Sequence, residues 1–347
     1  MSDRPLTIAW ITPERIEQGE HGPLANRVDV RLRAIAPMTF LRDQGHVVEH
    51  YALPDWPVWA AKEEFYRRDV HVFGKLFGHV TPVIEEIRRR GGKAIIDVCD
   101  NVFCPPEDGL RAFYDAALPQ ADHVVAASES LAQVLRTRVG DKVTTIADPV
   151  EGTRRPARFS PAQGDIKLLW YGYPNGVRSL VASLPNLAAL GSAMPITLTM
   201  ITAWEPVSDL RQRLEQGLPN VRLNFLEWAQ GVTEAALSAC DLVIIPTQPT
   251  PTQLTKTANR VLTALIHGRY VVANPLPSYQ EFADVIGLTD DFVDAVRWAV
   301  ERPTEVQGKI AQGQTMALDR YGLPVIGRRW ERVLSGCLSV RQTVDSP

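Results

Sequence analysis

The sequence predicts an α/β protein made of two doubly wound parallel sheets. Three observations carry this. Short apolar runs alternate with helix-period segments along the chain. Several runs, such as those in KLLWYG and DLVIIP, are apolar without a break at their centres, which marks strands buried on both faces. A stretch rich in Pro, Gly and Arg, EGTRRPARFSPAQGD, interrupts the alternation near the middle of the chain.

The apolar runs predict strands at Leu6–Ile11, Val47–Tyr51, Val70–Phe73, Ala94–Val98, His123–Ala127 and Val143–Ala147. They resume at Lys167–Tyr171, Ile196–Ile201, Val221–Leu226, Leu242–Ile245 and Tyr270–Ala273. Crossover helices are expected around Pro82–Arg90, Glu129–Arg138 and Val177–Leu190. The expected organisation is an N-terminal domain over 1–150, a linker over 151–165, a second domain over 166–320, and a C-terminal helix and tail over 321–347. The last helix should place Val325, Ile326, Trp330 and Val333 on one side, and RQTVDSP should fray. A chain of 347 residues suits two domains. No internal repeat is visible.

Apolar residues make up 45% of the chain and charged residues 22%, enough for sizeable cores. The net charge of −3 gives no global attraction for nucleic acid, so any anion site must be local. Cys99, Cys104, Cys240 and Cys337 match no zinc spacing and no C-x-x-C pair, so free thiols in a reducing cytoplasm are expected. MSDRPLTIAWITP reads as the approach to a strand, not as a signal peptide, and no run of about 18 apolar residues would cross a membrane. Arg88, Arg89 and Arg90 either complement a helix C-terminus or make peripheral contact with anionic lipid.

Open α/β sheets bind ligands at the carboxyl ends of their strands, and two facing domains would leave a cleft lined by those loops. The first such loop, TPERIEQGEHGPLANR, carries Gly19, Gly22, Asn26 and Arg27, without the spacing of a dinucleotide fingerprint. DVCDNVF places Asp97, Asp100 and Asn101 at a strand end, where they either work on a substrate hydroxyl or hold the loop. Ser128 reads as a helix N-cap, and Asp148-Pro149 as a structural crossover.

In the second half, LLWYGYPNGVRSL is a strand, a turn with Gly172 and Gly176, and a helix start. Arg178 sits in that helix's first turn, unfavourable to the dipole unless an anion binds nearby. Trp228, in FLEWAQG, either packs or meets a flat base. The stretch TKTANRVLTALIHGRYVVANPLPSYQEF begins at Thr255, taken as an N-cap. Lys256, Asn259, Arg260 and Thr263 then share one helical face, and Ala258, Val261, Leu262 and Leu265 the packing face. The polar face is either wet or a diphosphate site; its place at a strand's carboxyl end favours the site.

These residues resemble a family. The pattern K-T-A-N-R, helix, G-R-Y-V-V-A, then P-x-x-x-E-F is similar to the donor-binding segment of retaining GT-B glycosyltransferases of group 1, family 4. LLWYGYPNG, VRLNFLEWA, LSACDLVIIPT, ADHVVAASESLAQVL and TTIADPVE resemble other parts of that family, best from Ala121 to Ala283. The resemblance implies two facing Rossmann-like domains, a nucleoside-diphosphate-sugar donor, no metal and no bound cofactor. It implies a glycan, lipid or protein acceptor on the first domain. It assigns the leaving diphosphate to Arg178 with Lys256 or Arg260, helped by Gly172, Asn259 and Thr263. It sets Asp100, Asn101, Gly19, Gly22 and Arg27 toward sugar and acceptor.

The chain departs from the family where a Glu, seven residues, Glu spacing falls on Thr255 and Thr263. No His corresponds to the one often seen near the sugar; His71, His79 and His123 fit poorly. The leading expectation is a retaining sugar transferase. Its rival is a degenerate GT-B protein that binds a nucleotide sugar or a partner protein without catalysis. A phosphorylase or epimerase on this architecture is the third.

Overall fold

The computed structural model describes residues 4–20, 22–75, 78, 80–104, 108–161, 164–229 and 231–339. His79 and the RQTVDSP tail lie outside the described residues. The chain divides into two units. The first comprises Met1–Pro149, Leu254–Thr257 and Arg320–Pro347; the second comprises Val150–Gln253 and Ala258–Asp319.

The first unit is built on β1 (Thr7–Thr12), a hairpin of β2 (Glu17–Gly19) and β3 (Gly22–Leu24), then β4 (Val47–Ala52), β5 (Val70–Gly74), β6 (Lys93–Val98), β7 (His123–Ala126) and β8 (Val143–Thr145). Its sheet runs β4-β1-β5-β6-β7-β8, parallel at every pairing. The second unit holds β9 (Ile166–Tyr171), β10 (Ile196–Thr202), β11 (Arg222–Glu227), β12 (Leu242–Ile245), β13 (Tyr270–Ala273) and β14 (Gly287–Leu288), in the order β11-β10-β9-β12-β13-β14. Both orders are doubly wound, and the second is the order of dinucleotide-binding folds. The strand order reverses between β1 and β5 in one sheet and between β9 and β12 in the other, and these are the places where such sheets take ligands.

Every strand expected from the apolar runs forms, with its ends shifted by two residues at most. Two features were not expected. The two-residue β14 is too short to show a period. The first loop is a hairpin in which Gly19 faces Gly22. Gly22 has φ +122°, which side chains avoid, and a Cβ on Gly19 would fall 2.4 Å from the Leu24 side chain. These glycines therefore shape the hairpin.

Helix Glu129–Val139 shows how the sequence sets an element. Ser128 Oγ accepts from Leu131 N at 3.1 Å, and Leu131, Ala132 and Leu135 turn inward. Gly140 follows it with φ +67°. The expected helix Val177–Leu190 breaks at Ser183, ahead of Pro185, into Val177–Ala182 and Leu184–Ala193. The last helix, Leu323–Ser339, buries Ile326, Trp330 and Leu334 at intervals of four. Trp330 meets Trp10 edge-on at 4.9 Å. The basic run is mostly paired: Arg89 and Arg90 bind Glu86, and Arg90 also binds Glu63 and lies over Tyr66.

The linker packs onto the second unit. Arg155 N donates to Ile266 O at 2.8 Å, and Arg158 N to Gly268 O at 3.1 Å. Buried Gln314 accepts from Arg154 Nε and donates to Arg155 O. Among the described residues no helix is long and apolar enough to cross a membrane.

Candidate functional site

In the second unit the site begins where β9 ends. Trp170 is fully buried, and its indole lies under the following turn. A Cβ on Gly172 or on Gly176 would come within 3.2 Å of that ring. Glycine at both positions therefore lets the turn pack down on the ring at the sheet's carboxyl edge. Tyr171 OH donates to Arg260 O at 2.8 Å, and Thr263 also reaches the phenol. Burial pushes the Tyr171 hydroxyl far above its ordinary range, so it stays a neutral donor.

Arg260 lies in helix Asn259–Ile266, whose N-cap Ala258 offers no side chain to the first-turn N–H groups. Its half-buried guanidinium has no carboxylate partner among the described residues, and Nη1 is 3.8 Å from where a Gly172 Cβ would stand. Asn259 is half-buried beside it. Arg178 is exposed in the first turn of Val177–Ala182 and has no ion pair among the described residues. Gly172, Arg178, Asn259, Arg260 and Thr263 thus sit on the carboxyl edge of β9 and on the helices bordering the β9/β12 reversal.

Lys256 departs from expectation. The helix opens at Asn259, not at Thr255, and Thr255 closes a 3-10 turn, Gln253–Thr255. The expected stripe is broken, because Lys256 stands ahead of the helix and is counted with the first unit. The cause is tertiary. Thr255 O accepts from Ser128 Oγ at 2.6 Å, and Thr257 Oγ1 donates to Asp148 Oδ2 at 2.6 Å. Partners for both threonines outweigh one more helical turn. Between them, the Lys256 ammonium binds Asp100.

Asp100 takes a second ammonium, Lys75 Nζ at 2.5 Å, from the end of β5. Burial alone would raise its carboxyl, but Lys256 and then Lys75 outweigh that and hold it well below the usual carboxylate range. Asp97 is different. It is buried and bound by Arg33 through two hydrogen bonds, and Arg33 also reaches Asp148 and Ile146 O. Arg33 lies in the π-helical turn Arg31–Ile35, which interrupts the helix running from Val28 to Asp43. A small recess at the β1/β5 reversal is lined by Trp10, Thr12, Arg33, Gly74, Lys75 and Cys99.

Other expected residues are engaged locally. Asn101 Oδ1 accepts from Phe103 N at 3.1 Å and shapes its own loop. Arg27 binds Asp29, and its N–H binds Glu14. His71 donates to Phe65 O and His123 pairs with Thr144, both at the amino ends of their strands and away from the carboxyl edge. No disulfide joins the four cysteines, and burial pushes the Cys99 thiol well above its ordinary range. No group of three or more His, Cys, Asp or Glu able to hold a metal occurs among the described residues.

Sequence reasoning missed Lys75, Arg33 and Tyr171. Lys75 had a signal: it follows the strand VHVFG at its carboxyl end. Arg33 had another, a charge on the apolar face of Val30, Ala34 and Met38.

No family model matches the sequence, and no curated protein matches it in sequence. Solved structures do resemble it in fold. A glycosyltransferase from Rickettsia africae superposes with a TM-score of 0.69 at 12% identity, over 96% of this chain and 99% of that one. A UDP-forming α,α-trehalose-phosphate synthase from Burkholderia xenovorans gives 0.64 at 11%, over 96% and 100%. TarM gives 0.60 at 11%, over 76% of this chain and 54% of its own, so this chain spans about half the length of TarM. The fold is of the GT-B class, with two Rossmann-like domains.

Proposed function

We propose that the chain is a glycosyltransferase that takes a sugar from a nucleoside-diphosphate-sugar donor, with retention and without a metal or resident cofactor. The acceptor is a glycan, lipid or protein. One observation carries the reading: Arg260, half-buried and without a carboxylate partner among the described residues, stands beside the Gly172 turn at an uncapped helix start. Departure of a nucleoside diphosphate builds up negative charge, and preorganised cations with helix N–H groups lower that barrier. Arg260 and Arg178 take the phosphates, Gly172 gives close backbone approach, and Asn259 and Thr263 donate hydrogen bonds. The carboxyl edge of the first sheet, with Asp100 and Lys256, takes the acceptor, and the Gly19–Gly22 hairpin, Arg27 and Asn101 shape that edge. The likeness in fold to sugar transferases, one of them UDP-forming, supports trying UDP first.

The test is a thermal-shift screen with UDP, GDP, ADP, TDP and CMP. A ligand at about 100 times its dissociation constant stabilises by roughly 2.7 kcal/mol, a shift of several degrees at most. One diphosphate should raise the melting temperature, and Arg260→Ala with Arg178→Ala should abolish the rise. No rise with any nucleotide overturns the reading. The absence of carboxylates at Thr255 and Thr263 favours a second reading, in which the nucleotide sugar binds without transfer. A nucleotide shift without turnover on any acceptor would select it.

A further inference from the structure

We propose that Lys256 is an exchangeable partner of Asp100: its ammonium leaves that carboxylate for a phosphoryl group of the substrate, while Lys75 stays and keeps Asp100 paired. This rests on the nucleotide-donor reading and adds Lys75 as a positioning residue. No covalent bond is made or broken in the exchange.

Three features of the first unit carry it. Asp100 holds two ammoniums where one would satisfy its charge. The Asp100 side chain is only 23% exposed, and a half-buried carboxylate with a single cation resists losing it, because water replaces that cation incompletely. With two partners one can depart. The two lysines also differ in access. The Lys256 side chain is 36% exposed and that of Lys75 only 18%, so Lys256 is the one a solute reaches. Finally, the backbone around Lys256 is fastened on both sides. Ser128 Oγ holds Thr255 O and Asp148 holds Thr257 Oγ1, each at 2.6 Å. Asp148 is itself held by Arg33. The chain there stays in place while the four-carbon stem of Lys256 swings.

A lysine ammonium is a compact point charge that suits phosphate oxygens. The phosphoryl group belongs either to the nucleoside diphosphate or to a phosphorylated acceptor, and the probes separate these. The experiment is isothermal titration of the full chain with UDP, inorganic pyrophosphate and glucose 6-phosphate. Wild type is compared with Lys75→Met, Lys75→Arg, Asp100→Asn and the double variant Lys75→Met/Asp100→Asn.

Asp100→Asn should bind more tightly, because Lys256 no longer has a carboxylate to leave. Lys75→Met should bind roughly tenfold more weakly, since Lys256 becomes the last cation on Asp100, beside only the Cys99 thiol. Lys75→Arg should stay near wild type. The double variant should return to the affinity of Asp100→Asn, a rescue that a merely structural role for Lys75 would not produce. Responses to UDP and pyrophosphate place the phosphoryl group on the donor, and a response to glucose 6-phosphate alone places it on the acceptor. UDP binding that depends on Arg260 but is unchanged in Lys75→Met and Asp100→Asn overturns the exchange and leaves the donor reading standing. No binding of any probe overturns both. If Lys75→Met does not fold, Asp100→Asn decides alone: tighter binding supports the exchange and unchanged binding overturns it.

Discussion

Arg33 grips Asp97 with two prongs inside the first unit. Nε donates to Oδ2 at 3.0 Å and Nη2 to Oδ1 at 2.5 Å, and both side chains are buried. Nη1 also bonds Ile146 O and Asp148, so one guanidinium ties β6 to the segment after β8. Arg33→Met leaves two buried carboxylates without their cation. The expected loss is about 3–5 kcal/mol, read as a lower urea midpoint with an unchanged slope. Arg33→Lys should recover only part of it, because an ammonium cannot match the fork. A loss under about 1 kcal/mol in Arg33→Met would show that the network is not what holds these strands.

Gly268 ends helix Asn259–Ile266 with φ +74°, and an added Cβ would fall 2.1 Å from Pro156 O. The backbone oxygen cannot swing aside as a side-chain tip can. Left-handed strain of about 1–3 kcal/mol and overpacking of about 1–3 kcal/mol act together in Gly268→Ala. The variant should lose several degrees of melting temperature and expose the linker around Arg155–Arg158 to proteolysis. Wild-type cleavage rates would contradict the packing described here.

Gly327 lets the last helix approach the one carrying Phe40. A Cβ there would come within 2.2 Å of the Phe40 ring. Gly327→Ala should cost about 1–3 kcal/mol, and the paired change Gly327→Ala/Phe40→Leu should recover part of that by making room. Chemical denaturation of the four proteins gives the coupling directly. Simple additivity would mean that the two residues do not meet.

Most of the fold was legible because parallel strands buried on both faces leave unbroken apolar runs, as DLVIIP does for β12. The carboxyl edge of the second sheet was legible for the same reason: Gly172 follows β9, whose end was readable. Lys256 was misread because helix periodicity extends through Thr255–Ala258 on paper. Only tertiary partners, Ser128 and Asp148, stop the helix at Asn259, and they come from distant sequence. The first hairpin was hidden because a pair of three-residue strands carries no period. The two lysines on Asp100 are likewise 181 positions apart, at 75 and 256, and no local pattern links them.

His71 gives a pH dependence with a definite sign. Burial drives its pKa from 6.5 down to about 4, and Nε2 donates to Phe65 O at 2.8 Å in the neutral ring. A depressed histidine pKa means the unfolded chain binds the extra proton first as pH falls. The stability it contributes is therefore fully present above the unfolded value, and it is lost as pH falls from 6.5 toward about 4. Over that window the loss should be roughly 3 kcal/mol. His71→Leu removes the titration, so its stability should fall less between neutral and acid pH than that of wild type. Urea midpoints at neutral pH, near 5.5 and near 4.5 make the comparison, and carboxylates that titrate in both proteins cancel in the difference. Parallel curves would show that His71 takes up its proton in the folded chain as easily as in the unfolded one, and that its burial is not closed to water.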